Sequence, residues 1–482
     1  MMHNFFQNIY ESLHTYQDRE LIIWPKGGGN GHTSLSYTGK DIKSQISAIR
    51  QALEVLPVQN GQKVLLAVPV GFNLICALLA VMATGAIPVL PPARNSKIAL
   101  FRLLYSSNIK TVLLATKPSL LFRLLAKTLQ IKLLYVSQLI ADTAAVWLPP
   151  ASVSPEQPAL VSHSSGSTGK PKPIYRSHCV LQAQHKVLTE IFPPWPTQRD
   201  FPLFPNILLH NLSLGITSVL PDLSWADLTQ LEPERIVAQI KEQQVDTITG
   251  NLFYFRKLYN YLQQQHITLP QVQAIGIGGS PVTEVLVHDL KSFFPQATFY
   301  IIYGSSEAEP IAVRKAGPEK EVPHKGYAVG KIHPSLEYKI EAMGDIVLPG
   351  GAAYRVGELK VRGAHVAVAD RESWLSTGDF GYVDEENRLY LTGRKGNEQL
   401  HSSVQHYQLE HVLLHQQGIA RAAALATAEG FNIYIEGSAQ EADIRQALQQ
   451  HFPAHIIRQI LFREELPVDA RHHSKILYAN LK

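Results

Sequence analysis

From Val64 to Ala93 the chain carries no charged residue, a run long enough to cross a bilayer. The way that run is punctuated constrains everything around it. Pro69, Gly71, Asn73, Gly85 and Pro88 divide it into three pieces. VLLAVPV reads as a buried strand, NLICALLAVMATG as a helix ending in glycine, and AIPVLPP as the next strand. Strands covered on both faces read as continuous apolar runs. A βαβ unit inside a globular core is therefore expected here, with no transmembrane span.

The alternation continues along the chain. TVLLAT at Thr111 and KLLYVS at Lys132 are short strand-like runs separated by leucine-rich helical stretches. PERIVAQIKEQQ from Pro233 reads as a helix with proline near its start. VDTITGN, AIGIGGSPV and TFYIIYGSSE each pass from apolar residues into Gly, Ser or Asn. In open α/β sheets, ligands sit where the carboxyl ends of strands meet loops, so these three loop starts are expected near a site. With 482 residues the chain exceeds one ordinary domain, and a large unit plus a smaller one is expected. A net charge of +4 is small for this length and gives no argument for nucleic acid. Two cysteines, Cys76 and Cys179, cannot build a disulfide framework, which points to a reducing, cytoplasmic setting. The start, MMHNFFQNIYESLH, lacks the pattern of a signal peptide. Gly27 to His32 reads as a surface hairpin turn.

The most informative local stretch is SSGSTGKPK, Ser164 to Lys172, following the strand-like PALVSH. Gly166 and Gly169 allow tight turns that present N–H groups to an anion. Ser164, Ser165, Ser167 and Thr168 add hydroxyls, and Lys170 and Lys172 add positive charge. The combination suits a polyphosphate, and a mobile surface loop is the plainer alternative. It departs from the Walker A pattern, because Lys170 is followed by Pro171 rather than Ser or Thr.

Downstream come YGSSE at Tyr303, GELKVRG at Gly357, WLSTGDFG at Trp374, LTGR at Leu391 and a late lysine in RHHSKI. In this order, over essentially the whole chain, the set resembles the adenylate-forming superfamily of acyl-CoA synthetases, luciferases and peptide-synthetase adenylation domains. The resemblance implies an α/β fold: a large N-terminal adenylation domain over residues 1–393, with mixed β-sheets and packed helices, and a small mobile α+β C-terminal domain over residues 394–482. It implies ATP and Mg²⁺ as cofactors and a small carboxylic acid as substrate. Residue by residue, it puts Ser164 to Lys172 on the β- and γ-phosphates and Tyr303, beside Gly304, on the adenine. Ser306 would meet the α-phosphate in place of the usual threonine, and Glu307 would hold Mg²⁺, which prefers oxygen ligands. Asp379 would accept from the ribose hydroxyls, Arg394 would assist there and open the small domain, and Lys475 would stabilise charge on the acyl carboxylate and α-phosphate. Taken singly, Tyr303 could be core, Glu307 and Asp379 turn carboxylates, and Lys475 a solvated lysine.

FPLF at Phe201 with LGITSVLPDL, GRKGNEQL, and the closing LPVDARHHSKI look like the fatty-acid ligase branch that includes olefin β-lactone synthetases. In that branch a 3-hydroxy fatty acid is adenylated and its own hydroxyl closes on the activated carbonyl, with the high effective molarity of an intramolecular attack. Departures from ordinary acyl-CoA synthetases follow Arg394. Lys395 or Gly396 stands near the hinge, Ser403 near an expected glycine, and Ser474 before the terminal lysine. Transfer to coenzyme A is thereby in question, with a carrier-protein phosphopantetheine or intramolecular closure as other acceptors. An aryl acid is an alternative substrate, and a degenerate acyl-adenylate binding protein an alternative to catalysis. Gly278, Gly279 and Ser280 are expected to line the acyl pocket. His210 is either its gate or a histidine satisfied within the fold. His401, His406, His411 and His415 are expected on a solvated helix face rather than around a metal, and His472 and His473 are expected to shape the lysine loop.

Overall fold

The computed structural model describes residues 4–25, 34–92, 97–139, 146–165, 171–223, 228–317, 322–469 and 473–481. Gly27 to His32 lie outside them. Two units emerge, one made of residues 1–226, 235–246 and 364–370, the other of residues 227–234, 247–363 and 371–482.

The first unit begins with helix α1 (Phe6–Thr15), strands β1 (Glu20–Pro25) and β2 (Ser34–Thr38), and helix α2 (Gly39–Val55). Thr38 caps α2: its Oγ1 accepts from Asp41 N–H at 3.3 Å while Asp41 Oδ2 accepts from Thr38 N–H at 2.7 Å. The uncharged run then folds as β3 (Lys63–Ala67), α3 (Phe72–Ala83) and β4 (Ile87–Val89). Val64, Leu65 and Leu66 have no exposure at all. Each contributes roughly 1.5–3 kcal/mol of burial free energy, which accounts for the absence of charge. Helix α4 (Lys97–Ser106), β5 (Thr111–Leu114), α5 (Leu120–Thr128) and β6 (Lys132–Tyr135) follow, then β7 (Pro158–Ser165), β8 (Pro171–Ser177), α6 (His178–Ile191), β9 (Arg199–Pro202), α7 (Pro205–Leu214), β10 (Thr217–Val219) and α8 (Pro233–Glu242). One sheet runs β6-β5-β3-β4-β7-β8, parallel except for β8. A second group runs β9-β10-β1-β2.

In the second unit, β11 (Thr247–Asn251), α9 (Leu252–Gln265), β12 (Ala274–Gly278), α10 (Glu284–Lys291) and β13 (Thr298–Tyr303) form a parallel βαβαβ succession. Then come β14 (Ala312–Lys315), β15 (Tyr327–Ile332), β16 (Leu336–Val347), β17 (Ala353–Gly363), β18 (Leu375–Val383) and β19 (Leu389–Arg394), with strand order β16-β17-β18-β19-β15-β14-β13-β12-β11. The last stretch has its own α+β core. Helix α11 (His406–Leu413) and α12 (Glu441–Gln449) cover a sheet of β20 (Ile419–Thr427), β21 (Gly430–Gly437) and β22 (Ile457–Phe462), with Leu409, Ile433, Ile444 and Leu448 fully buried among them.

The strands and helices read from apolar runs all form, and the α/β class holds, with mixed sheets and packed helices. Among the described residues no helix is long and apolar enough to cross a membrane. One expectation is overturned. The histidines of α11 do not face solvent: His406 and His411 have no exposure. The helix is packed on every side because Gln405 and Gln408 satisfy neighbouring polar groups, Gln405 accepting from Thr392 Oγ1 at 2.6 Å and Gln408 donating to His324 O at 2.8 Å. Polar side chains that find internal partners can be buried.

Candidate active site

The site is built in the second unit from the carboxyl ends of β12, β13 and β19 and the middle of β18. Strands β18 and β19 are antiparallel, and their register sets Asp379 directly opposite Arg394. Opposite charges at facing positions pair across a sheet, and here the Arg394 guanidinium donates to Asp379 Oδ1. From the end of β13, Tyr303 Oη donates to the other oxygen, Oδ2, at 2.8 Å. Burial first, and the Asp379 charge second, push the Tyr303 phenol well above its ordinary range, so the hydroxyl stays protonated and donating. Asp379 beside it likewise raises the Arg394 guanidinium. Thr377 Oγ1 fixes the turn into this pair, accepting from Asp379 N–H at 3.1 Å and donating to Leu359 O at 2.8 Å. Ser376 donates to Glu358, a buried carboxylate that also lies 3.7 Å from Lys395 Nζ. The STGD, GEL and LTGR stretches thus meet in one cluster.

Past Tyr303 the chain turns sharply through Gly304. Ser305 N–H donates to Ala308 O at 2.8 Å, and Ser305 Oγ accepts from the backbone N–H of Glu307 at 3.2 Å. That pins the backbone of the loop carrying Ser306 and Glu307, both half-buried. Mg²⁺ takes one or two carboxylates and completes its octahedron with phosphate oxygens and water, so one half-exposed glutamate on a fixed loop is a suitable donor set.

Gly278 ends β12 between Asn251 and Ile302. A Cβ there would stand 2.8 Å from the Ile302 carbonyl oxygen, so close approach of β13 requires glycine at this position, independently of any room for a ligand. Gly279 and Ser280 follow at the same strand end.

Lys475 is exposed on a bridge between Val468 and Ile476. Its backbone is locked to Asp469, whose N–H donates to Lys475 O at 2.9 Å and whose Oδ1 accepts from Lys475 N–H at 3.0 Å. His473 packs its ring 5.3 Å from that of Phe253, and His472 lies outside the described residues.

In the first unit, Ser164 pairs with Lys172 and Ser165 with Pro171 across β7 and β8. The ends of the polyphosphate-type sequence are therefore paired antiparallel strands, with a strand and not a helix following at Pro171, which separates it from P-loops by architecture. Gly166, Ser167, Thr168, Gly169 and Lys170 lie outside the described residues, as do the side chains of Ser164 and Ser165. Lys172 is exposed. His210, on α7, is buried and its Nδ1 lies 3.0 Å from Nδ1 of His185 on α6. Burial lowers both, His210 to about 3 with the neighbouring ring adding to it. The pair is neutral, with one Nδ1 carrying the shared hydrogen.

Sequence reading missed the network behind Arg394. The backbone N–H of Arg394 donates to His406 Nε2 at 2.9 Å, so the hydrogen of this neutral imidazole sits on Nδ1 and goes to Glu410 Oε1 at 3.0 Å. Glu410 also accepts from Ala424 N–H at 2.9 Å and from Tyr478 Oη at 2.8 and 3.0 Å. The His406–Glu410 spacing of four on one helix was legible as a pair; Tyr478 and Ala424 were not. Between the anchors lies Gly396, with φ of +93° and nothing within 4 Å of a Cβ. Lys395 N–H is bound to Gly378 O at 2.8 Å on one side, and Asn397 Nδ2 to Ala424 O at 2.9 Å on the other.

The family described as AMP-binding enzyme matches residues 9–368. An olefin beta-lactone synthetase of Stenotrophomonas maltophilia is 28% identical, the match covering 68% of this chain and 66% of that protein. Another, of Xanthomonas campestris pv. campestris, is 25% identical over 95% of this chain and 93% of that protein. The fold is shared with O-succinylbenzoate coenzyme A synthetase (MenE) from Bacillus subtilis, solved in complex with ATP and magnesium ion. The TM-score is 0.77 at 18% identity, over 98% of this chain and 99% of that one. This chain belongs to the AMP-binding enzyme family and is an adenylate-forming acid ligase.

Proposed function

We propose that the enzyme activates a 3-hydroxy fatty acid as its acyl-AMP, releasing pyrophosphate, and that the substrate's own hydroxyl then closes a β-lactone and expels AMP. The observation that carries the adenylation step is the convergence of Asp379 and Arg394, facing each other across β18 and β19, with Tyr303, 76 residues before Asp379 in the chain. Asp379, oriented by two donors, is suited to accept from a ribose diol, and Tyr303 offers its ring to the adenine. Ser164 to Lys172 hold the β- and γ-phosphates, and Ser306 the α-phosphate. Glu307 holds Mg²⁺, which supplies charge neutralisation on the polyphosphate. A substrate carboxylate oxygen attacks the α-phosphorus, the bond to the β-phosphate oxygen breaks, and Lys475 stabilises the charge that builds there. In the second step the 3-hydroxyl oxygen attacks the acyl carbon, the acyl–phosphate bond breaks, and the hydroxyl proton leaves with AMP or solvent.

The division of labour proposed is an adenylation domain over residues 1–393 and a small mobile domain over residues 394–482 acting in the cytoplasm. The family resemblance assigns Gly278, Gly279 and Ser280 to the acyl site and His210 to its gate. The lactone reading is supported by the two olefin beta-lactone synthetases among the relatives. A second acceptor, the thiol of coenzyme A or of carrier-protein phosphopantetheine, is favoured by one observation. Ser403, near the position where acyl-CoA synthetases carry glycine, holds φ of +63°, the backbone that glycine adopts without strain.

ATP–pyrophosphate exchange with Mg²⁺ across plain, 3-hydroxy and aryl acids tests the proposal. Exchange with 3-hydroxy acids and thiol-independent lactone are expected. Exchange restricted to plain or aryl acids, or product only with a thiol, replaces the lactone reading. Silence with every acid leaves a binding protein in its place. Lys475→Ala should nearly abolish exchange while ATP binding persists, and unchanged turnover would remove Lys475 from the mechanism.

A further inference from the structure

Between Glu54 and Asp142 the chain has no acidic residue but nine lysines and arginines. This stretch includes the outer strands β6 and β5 of the six-stranded sheet, together with α4 and α5. Arg102, Lys110, Lys117, Arg123, Lys127 and Lys132 are all exposed there. Helix α5 is oriented by Ala126, which is buried, and Phe122, which packs against the core beneath the sheet. Its opposite face therefore carries Leu120, 67% exposed, and Leu124, 55% exposed, with Arg123 and Lys127 beside them. Tyr105, near the end of α4, is 84% exposed. A surface helix ordinarily turns leucines inward. Two leucines at i, i+4 facing outward among cations, with no carboxylate in that stretch of chain, form the pattern of an interfacial helix.

We propose that this face of the first unit binds the surface of an anionic lipid bilayer. Leu120 and Leu124 enter the headgroup–acyl boundary, and Lys117, Arg123 and Lys127 meet lipid phosphates. A bilayer fits better than an acidic protein because the leucines stand as a ridge on the outer face of a helix, among cations. A fluid headgroup layer can close around such a ridge, whereas a protein partner needs a shaped counterpart. The inference is independent of which acid the enzyme activates.

The test is co-sedimentation of the full chain with vesicles of phosphatidylcholine alone and of phosphatidylcholine mixed with phosphatidylglycerol. Binding to the mixed vesicles, weakened by salt, is expected. Each cation near an anionic surface contributes about fivefold in partitioning, so Arg123→Gln with Lys127→Gln should lose about 25-fold. Leu120→Ser with Leu124→Ser should lose about tenfold or more. All four side chains are exposed and outside the candidate active site, so circular dichroism and nucleotide-dependent exchange should stay as in the parent. Several results overturn the proposal: no binding to either vesicle, equal binding to both, unchanged binding in either double variant, or retention by an acidic carrier protein with no vesicle binding.

Discussion

Replacing Glu410 by leucine tests whether the buried carboxylate ties the last segment of the chain to Arg394. Leucine nearly conserves volume, so the cavity contribution is small. What is lost is the acceptor for three donors: His406 Nδ1–H, Ala424 N–H and Tyr478 O–H. The tyrosine hydroxyl can rotate about its C–O bond, but the other two donors cannot move. The His406 hydrogen cannot shift to Nε2 without facing the Arg394 N–H. Two stranded buried donors cost roughly 1–3 kcal/mol each, so a loss of about 4 kcal/mol is expected. Tyr478→Phe leaves the carboxylate its other partners and should cost about 1 kcal/mol. Hydrogen exchange over residues 419–437, which contain the Ala424 amide, reads this locally, where a whole-chain melting curve would blur several units. A change in protection below about 1 kcal/mol in Glu410→Leu would mean the carboxylate does not hold these donors, and the account of the network would be wrong.

Other consequences can be measured alongside. Asp379→Ala should raise the KM for ATP by about 10- to 100-fold, and Tyr303→Phe by about fivefold, because Asp379 then keeps Arg394 as partner; an unchanged KM in Asp379→Ala removes it from the nucleotide site. His178 is buried, accepts from Phe5 N–H at 3.0 Å and is lowered by burial to about 4. The unfolded chain takes up that proton near pH 6.5 and the folded one does not, so stability falls as pH drops from about 6.5 to about 4, by up to about 3 kcal/mol. His178→Gln should flatten this slope in urea titrations across that range, and an identical slope in the variant refutes the assignment. Ser403→Gly should raise stability by roughly 1 kcal/mol or less, since glycine relieves the left-handed backbone but loses more chain entropy on folding; a lower unfolding midpoint would show the serine side chain contributes more than its strain.

The sequence by itself determined the features that depend on neighbours in the chain. The uncharged run with its Pro and Gly breaks specified a βαβ unit, because continuous burial and turn geometry are local demands. Apolar runs ending in small residues placed Gly278, Gly279 and Tyr303 at strand ends, and the ordered stretches from SSGSTGKPK to the late lysine marked the adenylate-forming family. Local pattern misplaced α11, where His406 and His411, grouped with His401 and His415, looked like a solvated face. Only the packed structure gave His406 and His411 internal partners, and the Arg394 N–H, donating to Nε2, fixed the His406 tautomer. Likewise, Asp379 and Arg394 became a pair through the register of β18 and β19, with Tyr303 delivered from β13. Such contacts join residues far apart in the chain. The physical reason is that hydrogen bonds across a sheet and burial inside a core depend on which distant segments come to lie side by side, and no window of sequence contains that information.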